Sequence, residues 1–205
     1  MSAEGPTAGA VGFVMAGGGS RRMGRDKALL AWGEGILLDH AAARLGAVCA
    51  EVRILTGTHP RYADRGLSVD VDAMAGGGPL AGLAAALAVA APRPVLLLGV
   101  DMPFVTSALL RHLRDALAGW EAAVPVTGRG PEPLCAAYAG ACLAPVRDAL
   151  AAGERKMTSF WPRVRVRRVS GTDLAVFGDP ERLFRNLNDA SDYAAAAAQG
   201  RPHRP

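Results

Sequence analysis

The sequence predicts an α/β fold in which a doubly wound, mostly parallel sheet carries helices on both faces. Two observations lead to this prediction. Short apolar runs alternate with segments of helical periodicity over residues 11–126, which is typical of consecutive strand–helix–strand units. Residues 95–100 (VLLLGV) form a continuous apolar run, as expected of a strand that is buried on both faces at the centre of a parallel sheet.

The first part of the chain contains the alternating elements. Predicted strands cover residues 11–15, 52–55, 67–71, 95–100 and 122–126. Predicted helices cover residues 37–49, 60–65, 80–91 and 106–118. Thr106 is the expected N-cap of the last of these helices, because a threonine hydroxyl readily accepts from the first helical N–H groups. Ligands of such sheets bind beyond the carboxyl ends of the strands, so the loops at residues 17–27, 72–79 and 101–103 are expected to converge.

The pattern is less regular after residue 131. We predict a strand at residues 134–139, a helix at 144–152, a half-exposed strand at 164–169 and a helix at 190–199 capped by Asp189. A chain of 205 residues, of which 50% are hydrophobic and 20% charged, matches one domain with a sizeable core. We therefore expect a flexible N-terminal lead over residues 1–10, a single domain over 11–199 and a C-terminal tail over 200–205.

Composition argues against several classes of protein. No apolar run approaches the roughly 20 residues of a membrane-spanning helix, and the N-terminal residues lack the features of a secretion signal. Cys49, Cys135 and Cys142 are odd in number and form no close metal-binding pair, which indicates a reducing cytoplasm. The net charge of +4 is spread along the chain and aromatic residues make up only 5%, so a phosphate-rich small substrate is favoured over nucleic acid.

The segment MAGGGSRRMGRDK at residues 15–27 follows the first predicted strand. Consecutive glycines bring backbone N–H groups close to a ligand, and the basic residues after them add positive charge, which suits a polyphosphate. The segment is not a Walker A sequence, because Arg25-Asp26 stands where Lys-Ser or Lys-Thr is needed. It is not G-x-G-x-x-G either, because Arg22 replaces the last glycine. We therefore predict a nucleotide ligand.

Carboxylates at strand ends are the candidate metal ligands. Asp101 directly follows the strand at residues 95–100, where a carboxylate suits Mg²⁺ bound to phosphates. The alternative role for Asp101 is a helix cap, although Thr106 is better placed for it. Asp72 also ends a strand and either supports the metal or nucleotide or is a turn carboxylate. The glycine-rich residues 76–82 precede and open a helix, where they either approach an anion or base or form a flexible connector.

Two later segments are open to more than one interpretation. Arg155 and Lys156 are either a binding pair for an anionic second substrate or a solvated charge pair. The amides of Asn186 and Asn188 precede the last predicted helix, where the residues by themselves favour a turn or a cap. The four histidines share no spacing that would indicate a metal site.

These motifs resemble those of the molybdenum cofactor guanylyltransferases. The matching segments are MAGGGSRRMGRDK at residues 15–27, GPLAG at 78–82, DMPF at 101–104, EPLCAAY at 132–138, AGERK at 152–156 and NLND at 186–189. The first segment alone marks only the wider nucleotidyltransferase superfamily, whereas the later ones indicate the narrower family. The resemblance implies a Rossmann-like doubly wound sheet, Mg²⁺ as cofactor, and GTP and molybdopterin or molybdenum cofactor as substrates.

The resemblance also implies roles for individual residues. The nucleotide-binding residues would be Met15, Ala16, Gly17, Gly18, Lys27, Asp72 and Asp101. Lys27 would contact the phosphates and Asp101 would hold the metal, and these two are the catalytic candidates. Asn186 and Asn188 fall in a segment associated with the pterin, with Arg155 and Lys156 as further candidates for that substrate. A phosphate of the pterin would attack the α-phosphorus of GTP, releasing pyrophosphate and forming the guanine dinucleotide cofactor.

The chain departs from the family pattern in two places. Residues 55–57 are LTG, where many relatives carry an asparagine near the base or ribose, and Glu132 stands where histidine or glutamine commonly precedes proline. The alternatives are a molybdopterin cytidylyltransferase that uses CTP and a non-catalytic nucleotide-binding adaptor of the same fold. Intact Lys27, Asp72 and Asp101 count against the adaptor. Molybdoenzymes or cofactor-delivery proteins are candidate partners under each alternative.

Overall fold

The computed structural model describes residues 9–17, 26–71, 74 and 76–198. The strands are β1 (Val11–Met15), β2 (Ala31–Trp32), β3 (Gly35–Ile36), β4 (Glu51–Thr56), β5 (Ser68–Val71), β6 (Val95–Gly99), β7 (Ala122–Thr127), β8 (Gly130–Pro131), β9 (Cys135–Tyr138) and β10 (Val166–Val169). The α-helices are α1 (Leu37–Gly46), α2 (Gly78–Ala90), α3 (Ser107–Ala116), α4 (Leu143–Ala151), α5 (Thr172–Ala175), α6 (Pro180–Leu183) and α7 (Ala190–Ala198).

The central sheet has the strand order β10-β7-β9-β6-β1-β4-β5, with β8 paired to β7. Strand β1 is parallel to both neighbours, with Val11 opposite Glu51 in β4 and Val95 in β6. Strand β9 is antiparallel to β6 and β7, and β8 is antiparallel to β7. Strands β2 and β3 form a separate hairpin. The prediction of a mostly parallel sheet is confirmed.

Helices cover both faces of this sheet, as predicted. Successive side chains of a strand point to opposite faces, so the central strands contribute to two cores. Val14 and Leu98 are buried in one core together with residues of α1 and α3. Phe13 and Leu97 are buried in the other core together with residues of α2 and α4. The sheet is therefore sandwiched between two helical layers.

The two predicted N-caps are confirmed. The Thr106 hydroxyl oxygen accepts a hydrogen bond of 3.2 Å from the Leu109 N–H at the start of α3. The Asp189 carboxylate accepts bonds of 2.9 Å from the N–H groups of Ser191 and Asp192 at the start of α7. Both caps satisfy donors that would otherwise lack a partner in the first helical turn.

One predicted element is largely wrong, and several short ones were missed. The helix expected at residues 60–65 is a 3₁₀ turn confined to Ala63–Arg65, because Tyr62 adopts a left-handed backbone conformation with φ of 67°. The strands β2 and β3 and the helices α5 and α6 have only two to four residues each, which is too few to show a hydrophobic periodicity in the sequence. Residues 1–8 of the expected lead and residues 200–205 of the expected tail lie outside the described residues. None of the helices in the described part of the chain is long and apolar enough to cross a membrane.

Candidate functional site

A cavity of about 150 Å³ opens at the carboxyl ends of β1 and β6, beside the first turn of α2. It is lined by Met15, Ala16, Asp26, Lys27, Ala28, Pro79, Gly99, Val100, Asp101 and Leu134. Carboxyl ends of parallel strands meet at one edge of a sheet, and ligands of open α/β sheets bind there. The cavity therefore occupies the position at which a ligand of this fold is expected.

Three side chains from distant parts of the sequence meet at the Lys27 ammonium group. The Lys27 Nζ atom lies 3.5 Å from Asp101 Oδ2 and 3.5 Å from Asn188 Oδ1. The side chains of Lys27 and Asp101 are 19% and 23% exposed, so both can still reach a ligand. Lys27 and Asp101 line the cavity, and the Asn188 amide lies beside it through its contact with Lys27. The two catalytic candidates face the same cavity, as the sequence predicts.

Asp101 lies in the loop that follows β6, and neighbouring residues restrict the position of this loop. A Cβ atom at Gly99 would lie 3.0 Å from Asp101 Oδ1, so a side chain there would displace the carboxylate. The His40 Nε2 atom of α1 is 2.9 Å from the Pro103 carbonyl oxygen. Burial and the positive charge of Arg44 lower the pKa of His40, which favours a neutral ring that donates its Nε2–H to Pro103. Helix α1 thereby supports the loop that carries Asp101.

The end of β1 is fixed by close backbone packing. The Ala16 N–H donates a bond of 2.9 Å to the Leu55 carbonyl, and the Val100 N–H donates one of 3.1 Å to the Met15 carbonyl. A Cβ atom at Gly17 would lie 2.9 Å from the Gly57 nitrogen, which is closer than real Cβ contacts. Gly17 is therefore required by the neighbouring strand end, in addition to any ligand. Gly18 lies outside the described residues.

Helix α2 approaches the same edge through its glycine-rich start. Pro79 occupies its first turn and lines the cavity. Gly78 has a φ of 64°, which a glycine adopts without strain. A Cβ atom at Gly82 would lie 3.0 Å from Met15 Cε, so this glycine lets α2 pack closely on β1. Asp72 lies outside the described residues.

The segment of Asn186 and Asn188 is attached directly to the Asp101 loop. The Leu187 N–H donates a bond of 2.9 Å to the Asp101 carbonyl oxygen, and the Asn188 N–H donates one of 2.8 Å to Asp192. The Asn186 Oδ1 atom is buried and has no hydrogen-bond partner among the described residues. Buried polar atoms are nearly always paired, so this oxygen lacks the partner that such atoms normally have; Asn186 and Asn188 lie beside the cavity and do not line it.

Arg155 and Lys156 do not belong to the described lining of the cavity. Both are exposed. The Arg155 guanidinium donates to the carbonyls of Leu150 and Glu154 at 3.3 Å and 2.7 Å, where it satisfies acceptors at the end of α4. For Arg155 the structure thus shows a capping contact of the kind that stabilises helix C-termini.

The chain departs from the family pattern at residues 55–57 and at Glu132, and the structure shows what Thr56 and Glu132 contact. Thr56 is buried, and its hydroxyl lies 2.9 Å from the His59 carbonyl oxygen, so it holds the turn after β4. Glu132 precedes β9, and burial raises the pKa of its carboxyl group while Arg129 opposes that shift. Neither residue is among those that line the cavity.

A cluster of three residues beside the cavity was not predicted. Asp26 Oδ2 accepts bonds from Arg61 at 3.1 Å and from the Tyr62 hydroxyl at 2.6 Å. Burial, followed by the bond to Asp26, raises the pKa of Tyr62, so its hydroxyl remains a donor. The sequence carries no signal for this cluster other than the position of Asp26 beside Lys27.

The donor set at the cavity fits a magnesium ion that takes most of its ligands from phosphates and water. Asp101 and Asp26 are both partly exposed on the cavity wall, but both oxygens of Asp26 already accept hydrogen bonds, from Ala28, Arg61 and Tyr62. The described residues contain no group of three or more His, Cys, Asp or Glu side chains that would hold a metal by themselves. A single protein carboxylate therefore needs phosphate oxygens to complete the coordination.

An open α/β sheet with this charged edge site defines a nucleotide-binding α/β protein. Residues 12–167 match the family model described as the MobA-like NTP transferase domain. The chain belongs to this family of nucleotidyltransferases.

Relatives with more specific names agree with that family. A protein of Pelotomaculum thermopropionicum named "Probable molybdenum cofactor guanylyltransferase" is 40% identical over 187 residues, which cover 91% of each chain. The "Molybdenum cofactor guanylyltransferase" of Syntrophotalea carbinolica is 31% identical over 189 residues, or 91% of this chain and 90% of the relative. The crystal structure of the molybdopterin-guanine dinucleotide biosynthesis protein A of Archaeoglobus fulgidus aligns with a TM-score of 0.76 and 25% identity, covering 92% of this chain and 97% of that one.

Proposed function

We propose that this protein transfers GMP from GTP to molybdopterin or the molybdenum cofactor, releasing pyrophosphate and forming the guanine dinucleotide cofactor. The observation that carries the proposal is that Lys27 and Asp101 line one cavity and that the Lys27 ammonium lies 3.5 Å from both Asp101 and Asn188. The relatives that are named guanylyltransferases cover about nine-tenths of the chain. Together these findings favour guanylyl transfer over an adaptor without turnover.

The nucleotide would bind along the strand ends that form the cavity. Met15 and Ala16 line it, and Gly17 keeps the adjacent backbone close to β4. Gly18 and Asp72 belong to the same proposed site by their places in the motifs. The ammonium group of Lys27 would contact the triphosphate as a compact point charge, which a planar guanidinium does not replace.

Asp101 is the residue that would hold Mg²⁺ between the protein and the phosphates. When bound, Mg²⁺ supplies Lewis-acid stabilisation of the charge that develops on phosphate oxygens. The Asp101 loop is braced by His40 at Pro103 and by Leu187 at the Asp101 carbonyl, and Gly99 leaves room for the carboxylate. Such bracing keeps the carboxylate in place before the reaction, which is how an enzyme avoids reorganisation in the transition state.

The pterin would bind next to the cavity, near residues 186–188, which are attached to the Asp101 loop. A terminal phosphate oxygen of molybdopterin attacks the α-phosphorus of GTP, and the bond from that phosphorus to the bridging oxygen breaks. Pyrophosphate leaves with the electron pair of that bond. Asn186 and Asn188 orient the acceptor, Lys27 neutralises phosphate charge, and positioning accounts for most of the rate. Arg155 and Lys156 are further candidates for contact with the anionic acceptor.

The experiment is a pyrophosphate-release assay with purified protein, molybdopterin and each of the four nucleoside triphosphates, with and without Mg²⁺. We expect release with GTP and molybdopterin together, and only in the presence of Mg²⁺. Release with CTP in place of GTP would establish a cytidylyltransferase instead. Binding of GTP without release, under conditions in which an authentic guanylyltransferase turns over, would establish an adaptor.

A further inference from the structure

Arg61 bridges two parts of the chain that form the cavity wall. Its Nη1 atom donates to Asp26 Oδ2 at 3.1 Å, and its Nη2 atom donates to the Ala16 carbonyl oxygen at 2.9 Å. Ala16 follows β1, and Asp26 directly precedes Lys27. One guanidinium therefore fixes the end of β1 relative to the backbone that carries the lysine.

The Asp26 carboxylate is fully engaged by these contacts. Its Oδ1 atom accepts from the Ala28 N–H at 3.1 Å, which caps the 3₁₀ turn Lys27–Leu29. Its Oδ2 atom accepts from Arg61 and from the Tyr62 hydroxyl. Asp26 lines the same cavity as Lys27 and would otherwise present a competing negative charge to the lysine. Arg61 compensates that charge, and the Lys27 ammonium lies 3.5 Å from Asp101 and 3.5 Å from Asn188.

The backbone at Tyr62 makes this cluster possible. Consecutive side chains of an extended segment point in opposite directions, yet Arg61 and Tyr62 both reach Asp26. The left-handed conformation of Tyr62, with φ of 67°, turns the chain so that they converge. A residue with a Cβ atom adopts this conformation at an energetic cost, and such strain is retained where the surroundings determine it. The Tyr62 ring is buried at 8% exposure, and the Arg61 guanidinium carbon lies 5.2 Å from the ring centroid.

We propose that Arg61 is a positioning residue that joins Asp26 to the Ala16 carbonyl and thereby directs Lys27 towards Asp101 and Asn188. The expected effect of Arg61 on turnover rests on the proposed function. The expected effect of Arg61 on the orientation of Lys27 does not, and it is measurable without any nucleotide.

The kinetic test is a double-mutant cycle between Arg61 and Lys27. We expect Arg61→Ala to lower kcat/KM for GTP by about 10- to 100-fold, because small misplacements of a catalytic group have effects of this size. In a Lys27→Ala background the same change should cost about twofold or less, since residues that act through one another are not additive. Equal losses in both backgrounds would overturn the proposal. Arg61→Gln provides a second variant should Arg61→Ala unfold.

Arg114 provides a matched control far from the cavity. It also joins a backbone carbonyl to a carboxylate, with bonds of 2.9 Å to the Val48 carbonyl and 2.8 Å to Asp115. Arg114→Ala should leave kcat/KM for GTP near the wild-type value. A loss equal to that of Arg61→Ala would mean that any broken arginine bridge impairs the enzyme, and the positioning role would be overturned.

The second readout uses the fact that Lys27 and Lys156 are the only lysines in the chain. Reductive ¹³C-methylation gives each a separate NMR signal, and the signal of exposed Lys156 serves as an internal reference. We expect Arg61→Ala to shift the Lys27 signal and to leave the Lys156 signal in place, whereas Arg114→Ala moves neither. An unchanged Lys27 signal would overturn the inference. If the wild-type protein transfers no guanylyl group, the proposed function fails while this measurement still decides the role of Arg61.

Discussion

The backbone N–H of Leu187 donates a hydrogen bond of 2.9 Å to the carbonyl oxygen of Asp101. This bond fixes the distance between the loop that carries the Asp101 carboxylate and the segment that carries Asn186 and Asn188. The proposed nucleotide side of the site, at Asp101, and the proposed pterin side, at residues 186–188, are therefore joined by a main-chain hydrogen bond. Because this bond uses only main-chain atoms, the side chains of Asp101 and Asn186 can be replaced one at a time to test the role of each.

Replacing Asp101 by asparagine should abolish most of the turnover and leave the fold intact. We expect a loss of about 10²-fold or more in kcat, the scale observed when one preorganised charge stabiliser is removed. The assay is pyrophosphate release at saturating GTP and Mg²⁺, with thermal unfolding measured in parallel. Asp173→Asn, in an exposed ion pair with Arg167, is the control. Near-normal turnover of Asp101→Asn would remove Asp101 from the metal-binding role.

Replacing Lys27 by alanine should weaken GTP binding and turnover together. The ammonium group lies on the cavity wall, 3.5 Å from Asp101, so its loss removes positive charge from the proposed phosphate site. Lys27→Arg should also bind GTP weakly and turn over slowly, because a planar guanidinium does not replace a compact ammonium group. Calorimetric titration with GTP and the kinetics of release measure both effects. A change in thermal stability alone would assign Lys27 a purely structural role.

Replacing Asn186 by alanine should affect the second substrate and not the first. The buried Oδ1 atom has no partner among the described residues, so its removal leaves no broken hydrogen bond in the free protein. We expect the KM for molybdopterin to rise about tenfold, as for one lost hydrogen bond to a ligand. The KM for GTP and the unfolding temperature should stay near wild type. A rise in the KM for GTP instead would place Asn186 at the nucleotide.

Replacing Gly17 by alanine should destabilise the protein. The added Cβ would lie 2.9 Å from the Gly57 nitrogen and 3.2 Å from the Thr56 carbonyl carbon. Overpacking of this kind costs about 1–3 kcal/mol, which denaturant unfolding resolves. Gly57→Ala is the matched control, because its Cβ would meet the Gly17 carbonyl oxygen at 3.5 Å, an ordinary contact. Equal stability of the two variants would contradict the proposed packing constraint.

The free energy of unfolding should fall as the pH is lowered below about 6.5, the ordinary pKa of histidine. Burial and Arg44 lower the pKa of His40 in the folded protein. Between the two pKa values the unfolded chain binds a proton that the folded chain does not, so acid favours unfolding. His40→Gln should reduce the pH dependence in this range, as followed by urea unfolding at several pH values. An unchanged pH profile in that variant would show that His40 does not contribute.

Patterns within single segments predicted the main strands and helices and the edge at which the site lies. The apolar run at residues 95–100 indicated β6, and the rule for parallel strand ends brought Lys27 and Asp101 to one edge. Contacts that depend on backbone conformation were not predictable. The Arg61–Asp26–Tyr62 cluster requires a left-handed tyrosine, for which the sequence has no marker. The capping contact of Arg155 depends on the exact end of α4, which periodicity does not define.

Strand β9 runs opposite to β6, so its amino end and not its carboxyl end reaches the cavity. Leu134 joins the wall there, and only its carbonyl oxygen is used to bind the Gly99 N–H at 2.8 Å. The side chain at this position is therefore independent of the main-chain bond that orders the strand. The Leu134 side chain also packs against both hydrophobic cores, so this flank of the cavity is anchored in the interior of the protein.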